Sequence, residues 1–203
     1  MAPLPRPQDV LDDWIGAARD NAEAADEKNK LWFTKSFATD SYLAETYLDL
    51  LVALANGLAE DWAAQGARPR LAAIIALDQF SRNIFRDSGL SFRHDRLALD
   101  LCKHGLNTRQ DEGLSEAERI FFYLPLEHSE QMSDQETAVA CFSRLLEAAR
   151  EPFKPLCENT LNYAIRHRDV IEQFGRFPHR NTLLRRRNTP EEIVYLAQPG
   201  AGF

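Results

Sequence analysis

Apolar residues along this chain recur at a helical period instead of alternating. Val10, Leu11, Trp14, Ile15 and Ala18 mark one face of a helix over residues 8–22. Residues 17–30, rich in Ala, Asp, Glu and Lys, either extend it or form a loop. Thr39-Asp40 supplies N-cap chemistry for a helix over 41–56, and Gly57 supplies its stop. A short helix around Trp62 leads to Pro69, placed in the first turn of a helix over 69–85. Asp95 or His94 opens a helix over 95–104 that Gly105 closes. Ser115-Glu-Ala-Glu118 and Ser133-Asp-Gln-Glu136 read as capping boxes that start helices toward Gln131 and Arg150. Thr189-Pro-Glu-Glu192 starts a short last helix in the same way. Pro152 and Pro155 break the chain before a helix over 156–174, which Gly175 ends. The Val/Ile/Thr alternation of strands is absent.

The pattern therefore predicts an all-α fold of about eight or nine helices with short links, best arranged as stacked antiparallel helical hairpins. No strict 34-residue tetratricopeptide period is visible. The 203 residues suit one helical domain over 8–203, behind a flexible Pro-rich arm over 1–7. With 44% hydrophobic residues the chain can bury a sizeable core, yet no apolar run is long enough to span a bilayer. No membrane partner is expected. Cys102, Cys141 and Cys157 are odd in number and lack C-x-x-C spacing, so they read as reduced thiols of a cytoplasmic protein. The net charge is −7, although residues 161–203 hold seven arginines against four acids. An acidic body argues against nucleic acid as a partner.

Polar groups stand where apolar helices end. Leu71-Ala-Ala-Ile-Ile-Ala-Leu77 is apolar all round and should be buried all round. Asp78 and Arg82 follow at i,i+4 spacing, with Gln79 and Asn83 on an adjacent face. Ile120-Phe-Phe-Tyr-Leu-Pro-Leu126 runs into Glu127-His128-Ser129-Glu130, and Pro125 should kink or interrupt that helix. His167 shares a face with Tyr163, Ala164, Val170 and Ile171 and so points inward. Arg166 and Asp169 are i,i+3 partners. Gly175 can adopt the left-handed conformation, and Pro178 holds Phe177 extended, so Arg176, His179, Arg180 and Asn181 project from a fixed turn.

Taken together, Leu77-Asp-Gln-Phe-Ser-Arg-Asn-Ile-Phe-Arg86, Tyr123-Leu-Pro-Leu-Glu-His-Ser-Glu130, Asp134-Gln-Glu136, His167-Arg-Asp169 and Phe174-Gly-Arg-Phe-Pro-His-Arg-Asn181 resemble the bacterial "domain of unknown function 924" family. Thr189-Pro-Glu-Glu192 and Leu196-Ala-Gln-Pro-Gly200 fit as well. The resemblance covers residues 8–203 and implies an all-helical, tetratricopeptide-like superhelix. It brings no assigned reaction. Ser81 stands where proline is common, and Asp13-Trp14-Ile15-Gly16 replaces an aromatic-rich start.

The motifs of serine hydrolases, P-loop and dinucleotide-binding proteins and zinc proteases are missing. Glu127, His128, Glu136, His167 and His179 have no metal-ligand spacing, and no metal or cofactor is expected. Two functional readings stay open. In one, Arg82, Arg176 and Arg180 clamp a small anionic molecule. His128 or His179 then serves as general acid or base, oriented by Glu127 or Glu130, with Asp78, His167 and Asn181 completing the wall. In the other, the helices form an interaction module whose basic last third binds an acidic peptide. Beside both stands a purely structural alternative. Here the side chains after Gly175 cap helix 156–174 and pair with Glu127 or Glu130.

Overall fold

The computed structural model describes residues 3–202, and among these every regular element is helical. The chain runs α1 (Pro7–Trp14), α2 (Ala22–Phe33), α3 (Phe37–Ala53), α4 (Ala59–Ala64), α5 (Ala67–Ile75), α6 (Ser81–Ile84), α7 (Asp95–Asn107), α8 (Glu116–Glu127), α9 (Met132–Ala148), α10 (Lys154–Phe174) and α11 (Pro190–Leu196). Short 3-10 turns fill half of the links, and π turns fill two more. Met1 and Ala2 of the expected arm lie outside the described residues.

α5 is the hub. It touches α1, α4, α7 and α8, and Leu71–Leu77 is buried on every side, as its composition requires. α8 is the second rod, packed between α5, α7, α9 and α10. Trp14 of α1 meets Phe80 and Phe121 edge-on at centroid distances of 5.3 and 5.9 Å, and Trp32 of α2 meets Phe121 at 4.9 Å. α1 and the separate helix α2 are pinned to the core by these rings.

Several boundaries differ from the sequence reading for local reasons. Ser36, not Thr39-Asp40, caps α3, because its hydroxyl accepts the Thr39 N–H. That leaves Asp40 to pair with Arg86 and Asn83. Gly57 does end α3, at φ +113°. The Ser133 box does not form, since α9 already starts at Met132. Asp134 instead accepts from Ser129 and pairs with Lys103 at 2.5 Å. α8 ends at Glu127 with Pro125 in its last turn, short of Gln131. The boxes at Ser115 and Thr189 and the left-handed Gly175 stand as read.

Gly105 does not close α7. It lies inside the helix, packed against Phe122 and within 2.8 Å of Arg70 Cδ were a Cβ present. The glycine is there for close approach. Cys102, Cys141 and Cys157 are all buried and unbridged, and burial raises each thiol pKa. Gly105→Ala should destabilise the fold by about 1–3 kcal/mol through overpacking, although alanine favours a helix by roughly 1 kcal/mol. Urea unfolding measures the difference, and a gain in stability would show that Phe122 and Arg70 yield freely.

Candidate functional site

The helix that carries Asp78 changes pitch where the side chain enters the core. Ala76–Phe80 forms a π turn between α5 and α6, closed by the Ser81 N–H on the Ala76 carbonyl. Such turns insert a residue and re-aim the side chains around them. Asp78 is 1% exposed. Its Oδ1 accepts from His128 Nδ1 at 2.8 Å and from Arg82 Nη1 at 3.0 Å, and its Oδ2 accepts from Gln79 Nε2 at 2.6 Å. Burial alone would raise this carboxyl. Arg82, His128 and Gln79 outweigh it and hold Asp78 ionised, well below the usual carboxylate range.

Arg82 reaches on to Asp95, at the start of α7, with two parallel hydrogen bonds of 3.0 and 3.1 Å. Arg180 joins from the loop after α10. Its Nη1 donates to the His128 carbonyl at 3.0 Å and lies 3.6 Å from Asp95, while its guanidinium carbon lies over both the Phe92 and Phe177 rings, 4.8 and 4.5 Å from their centroids. Burial and the nearby Arg82 charge lower its pKa to about 10. Arg180 Nε is buried with no hydrogen bond among the described residues.

His128 faces the same centre from the end of α8. Because Nδ1 meets a carboxylate, it carries the proton and donates, which leaves the lone pair on Nε2. Burial first, and then Arg82, lower the His128 pKa, so the ring is neutral at pH 7. Its side chain keeps 15% exposure. A second acid–imidazole pair stands beside the first: His167 Nδ1 lies 3.0 Å from Glu127 Oε1 and 2.9 Å from the Tyr163 carbonyl. The two rings are 6.3 Å apart. Glu127 Oε2 is buried and accepts no hydrogen bond among the described residues. Phe177 then separates His167 from His179 at centroid distances of 5.5 and 5.6 Å. Burial and the Arg180 charge lower the His179 pKa to about 4.

The family model described as "Bacterial protein of unknown function (DUF924)" matches residues 10–200. The chain belongs to this family. The DUF924 chain is also similar to the protein of unknown function ATU0120 from Agrobacterium tumefaciens. That solved structure is 34% identical with a TM-score of 0.78, covering 95% of this chain and 97% of that one. A comparison with curated proteins gives no match. Neither likeness carries an assigned reaction, so the DUF924 site has to be read from its own geometry.

Of the residues expected to meet, Asp78, Arg82, Glu127, His128, His167, His179 and Arg180 form one cluster. Glu130 borders it, taking the Phe177 N–H at 2.9 Å and both arms of Arg186. Arg176 and Asn181 turn away. Arg176 makes two hydrogen bonds to Glu192, at 2.6 and 2.8 Å, and Asn181 donates to Glu192 and Asn188. They fasten α11 to the loop and are not part of a clamp. Arg166 lies over the Tyr163 ring, and Asp169 accepts from Arg168.

Asp95, which reads in sequence as a helix cap, and Gln135 belong to the site's frame and were not among its expected members. Gln135 donates to the carbonyls of Glu127 and Ser129 at 2.6 Å each, closing the end of α8. Two surface clefts lie elsewhere. One, of about 430 Å³, gathers Arg19, Arg68, Arg119 and Arg150 beside the start of α8, but a carboxylate or phenol already holds each guanidinium. The other, of about 490 Å³, lies between the N-terminal segment and α3.

The depressed histidines set a pH dependence. The unfolded chain binds more protons than the folded one between about pH 4 and 6.5, so their contribution is complete above pH 6.5 and lost as the pH falls. Each extra proton gives a slope of about 1.4 kcal/mol per pH unit. Urea midpoints should fall between pH 6.5 and 5, and His179→Asn should flatten that fall. A flat wild-type profile over this range would mean that neither imidazole is held neutral.

Proposed function

We propose that the cluster binds a small anionic molecule and performs acid–base chemistry on it, with His128 as the base. The observation that carries this reading is the buried Asp78–His128 pair. A carboxylate on Nδ1 fixes the tautomer and orientation of the ring and points the basic Nε2 away from itself, as general-base histidines require. Arg180 supplies the anion contact. Its guanidinium lies over two aromatic rings, its Nε has no hydrogen bond among the described residues, and burial and the Arg82 charge lower its pKa. Glu127 and His167 offer a second acid–base pair on the adjacent wall. Arg82, engaged by Asp78 and Asp95, positions rather than clamps.

Thermal unfolding in a panel of small carboxylates and phosphates tests it. An anion at a hundred times its Kd stabilises by about 2.7 kcal/mol, which raises Tm by roughly 5–10 °C for a chain of this size. Arg180→Gln and His128→Gln should fold and lose that shift. If no anion raises the wild-type Tm, or both variants respond as the wild type does, the cluster is a structural lock.

A second reading, a helical module that docks a partner, draws on a different surface. Phe37, Leu48 and Val52 of α3 are exposed, Phe37 by 86%. The basic last third supports it less, because Arg176 and Arg186 are taken by Glu192 and Glu130. Should Phe37→Asp abolish self-association or partner capture while leaving the anion response intact, the two surfaces act separately.

A further inference from the structure

After α11 the chain turns back toward the cluster. The Ala201 N–H bonds the Gln198 carbonyl at 3.2 Å, and Gly200 and Gly202 take φ of +77° and +88°, a region L side chains rarely adopt. Ala201 and Gly202 become half-buried, whereas residues 197–200 are exposed. Gly202 then lies against His179. A Cβ at Gly202 would stand 3.2 Å from His179 Cβ and 3.4 Å from its Cγ.

We propose that residues 198–202 form a strap across His179 that lifts to admit the ligand and closes behind it. The proposal deepens the anion-site reading and rests on it for what the strap guards. Its mechanical basis is a contrast in anchoring. The helix that carries the strap is fixed firmly: Glu192 accepts two hydrogen bonds from Arg176 and one from Asn181, and Tyr195 packs on Phe174 at 5.0 Å. Among the described residues the strap itself is held by the Gln198 N–H on the Tyr195 carbonyl at 3.0 Å, the turn at Ala201 and a long 3.4 Å hydrogen bond from the Gly202 N–H to the Tyr195 hydroxyl. Among the described residues 198–202 no side chain makes an ion pair. A glycine at position 200 lets the segment hinge without strain on its neighbours. Gly202 suits the approach, since its φ is one that L side chains rarely adopt and a Cβ there would press on His179 Cβ.

The test reads access to His179 directly and needs no ligand. Diethyl pyrocarbonate acylates neutral imidazole, and the low pKa of His179 keeps it neutral at pH 7, so protonation does not limit its rate. The full chain, a chain ending at Gln198 and Tyr195→Phe are modified side by side and mapped by peptide mass spectrometry. Exposed His104 serves as the internal standard, and buried His167 as the monitor of folding. His179 should react about fivefold faster in the shortened chain and about twofold to threefold faster in Tyr195→Phe, with His104 and His167 unchanged. An unchanged His179 rate in both variants overturns the strap. So does a joint rise of His167 and His179 in both, which would make the segment part of the fold. Should the shortened chain alone unfold, Tyr195→Phe decides: a selective rise of His179 supports the strap, and no rise overturns it. If His179 is uncovered as expected and yet no anion stabilises the protein, the strap stands and the anion reading falls.

Discussion

Asp78 brings a full charge into the middle of a helical protein, and its surroundings are arranged to replace the water it has lost. A lone buried carboxylate would be protonated or would cost several kcal/mol. Here Arg82, His128 and Gln79 each contact it, and Asp95 in turn balances Arg82. Those partners come from α6, the end of α8 and the start of α7. The charge thus sets the relative register of three elements that apolar packing alone would leave free to slide. The π turn before Ser81 belongs to the same constraint, because it delivers Asp78 and Gln79 together to one centre.

A network built this way uses its polar atoms on itself. Most donors around Asp78 are already spent, Arg82 on Asp78 and Asp95 among them. What is left over is Arg180 Nε and Glu127 Oε2, both buried and without a hydrogen bond among the described residues. The two aromatic rings that Arg180 lies over also keep water from it, and this strengthens any charge contact it makes.

How much of this was legible in the sequence depends on how local the cause is. The helices were, because period and caps act within a few residues: the Ser115 and Thr189 boxes and the Gly175 stop need only their neighbours. The Ser133 box failed because α9 already begins at Met132, which leaves Ser133 inside the helix and Asp134 free to pair with Lys103 and Ser129. Gly105 looked like a stop and is a contact, since only the fold brings Phe122 and Arg70 beside it. The polar cluster was legible as a set of residues interrupting apolar runs. Its pairings were not. Arg176 and Arg180 are four residues apart with the same side chain, yet one faces Glu192 and the other His128, and nothing local distinguishes them.

The three buried thiols give the core a clock. With their pKa values raised and no path to solvent, Cys102, Cys141 and Cys157 are nearly inert while the helices stay packed. Each sits on a different helix, α7, α9 and α10. The order in which they become reactive is therefore the order in which those helices part, a record of the protein's internal opening that needs no added label.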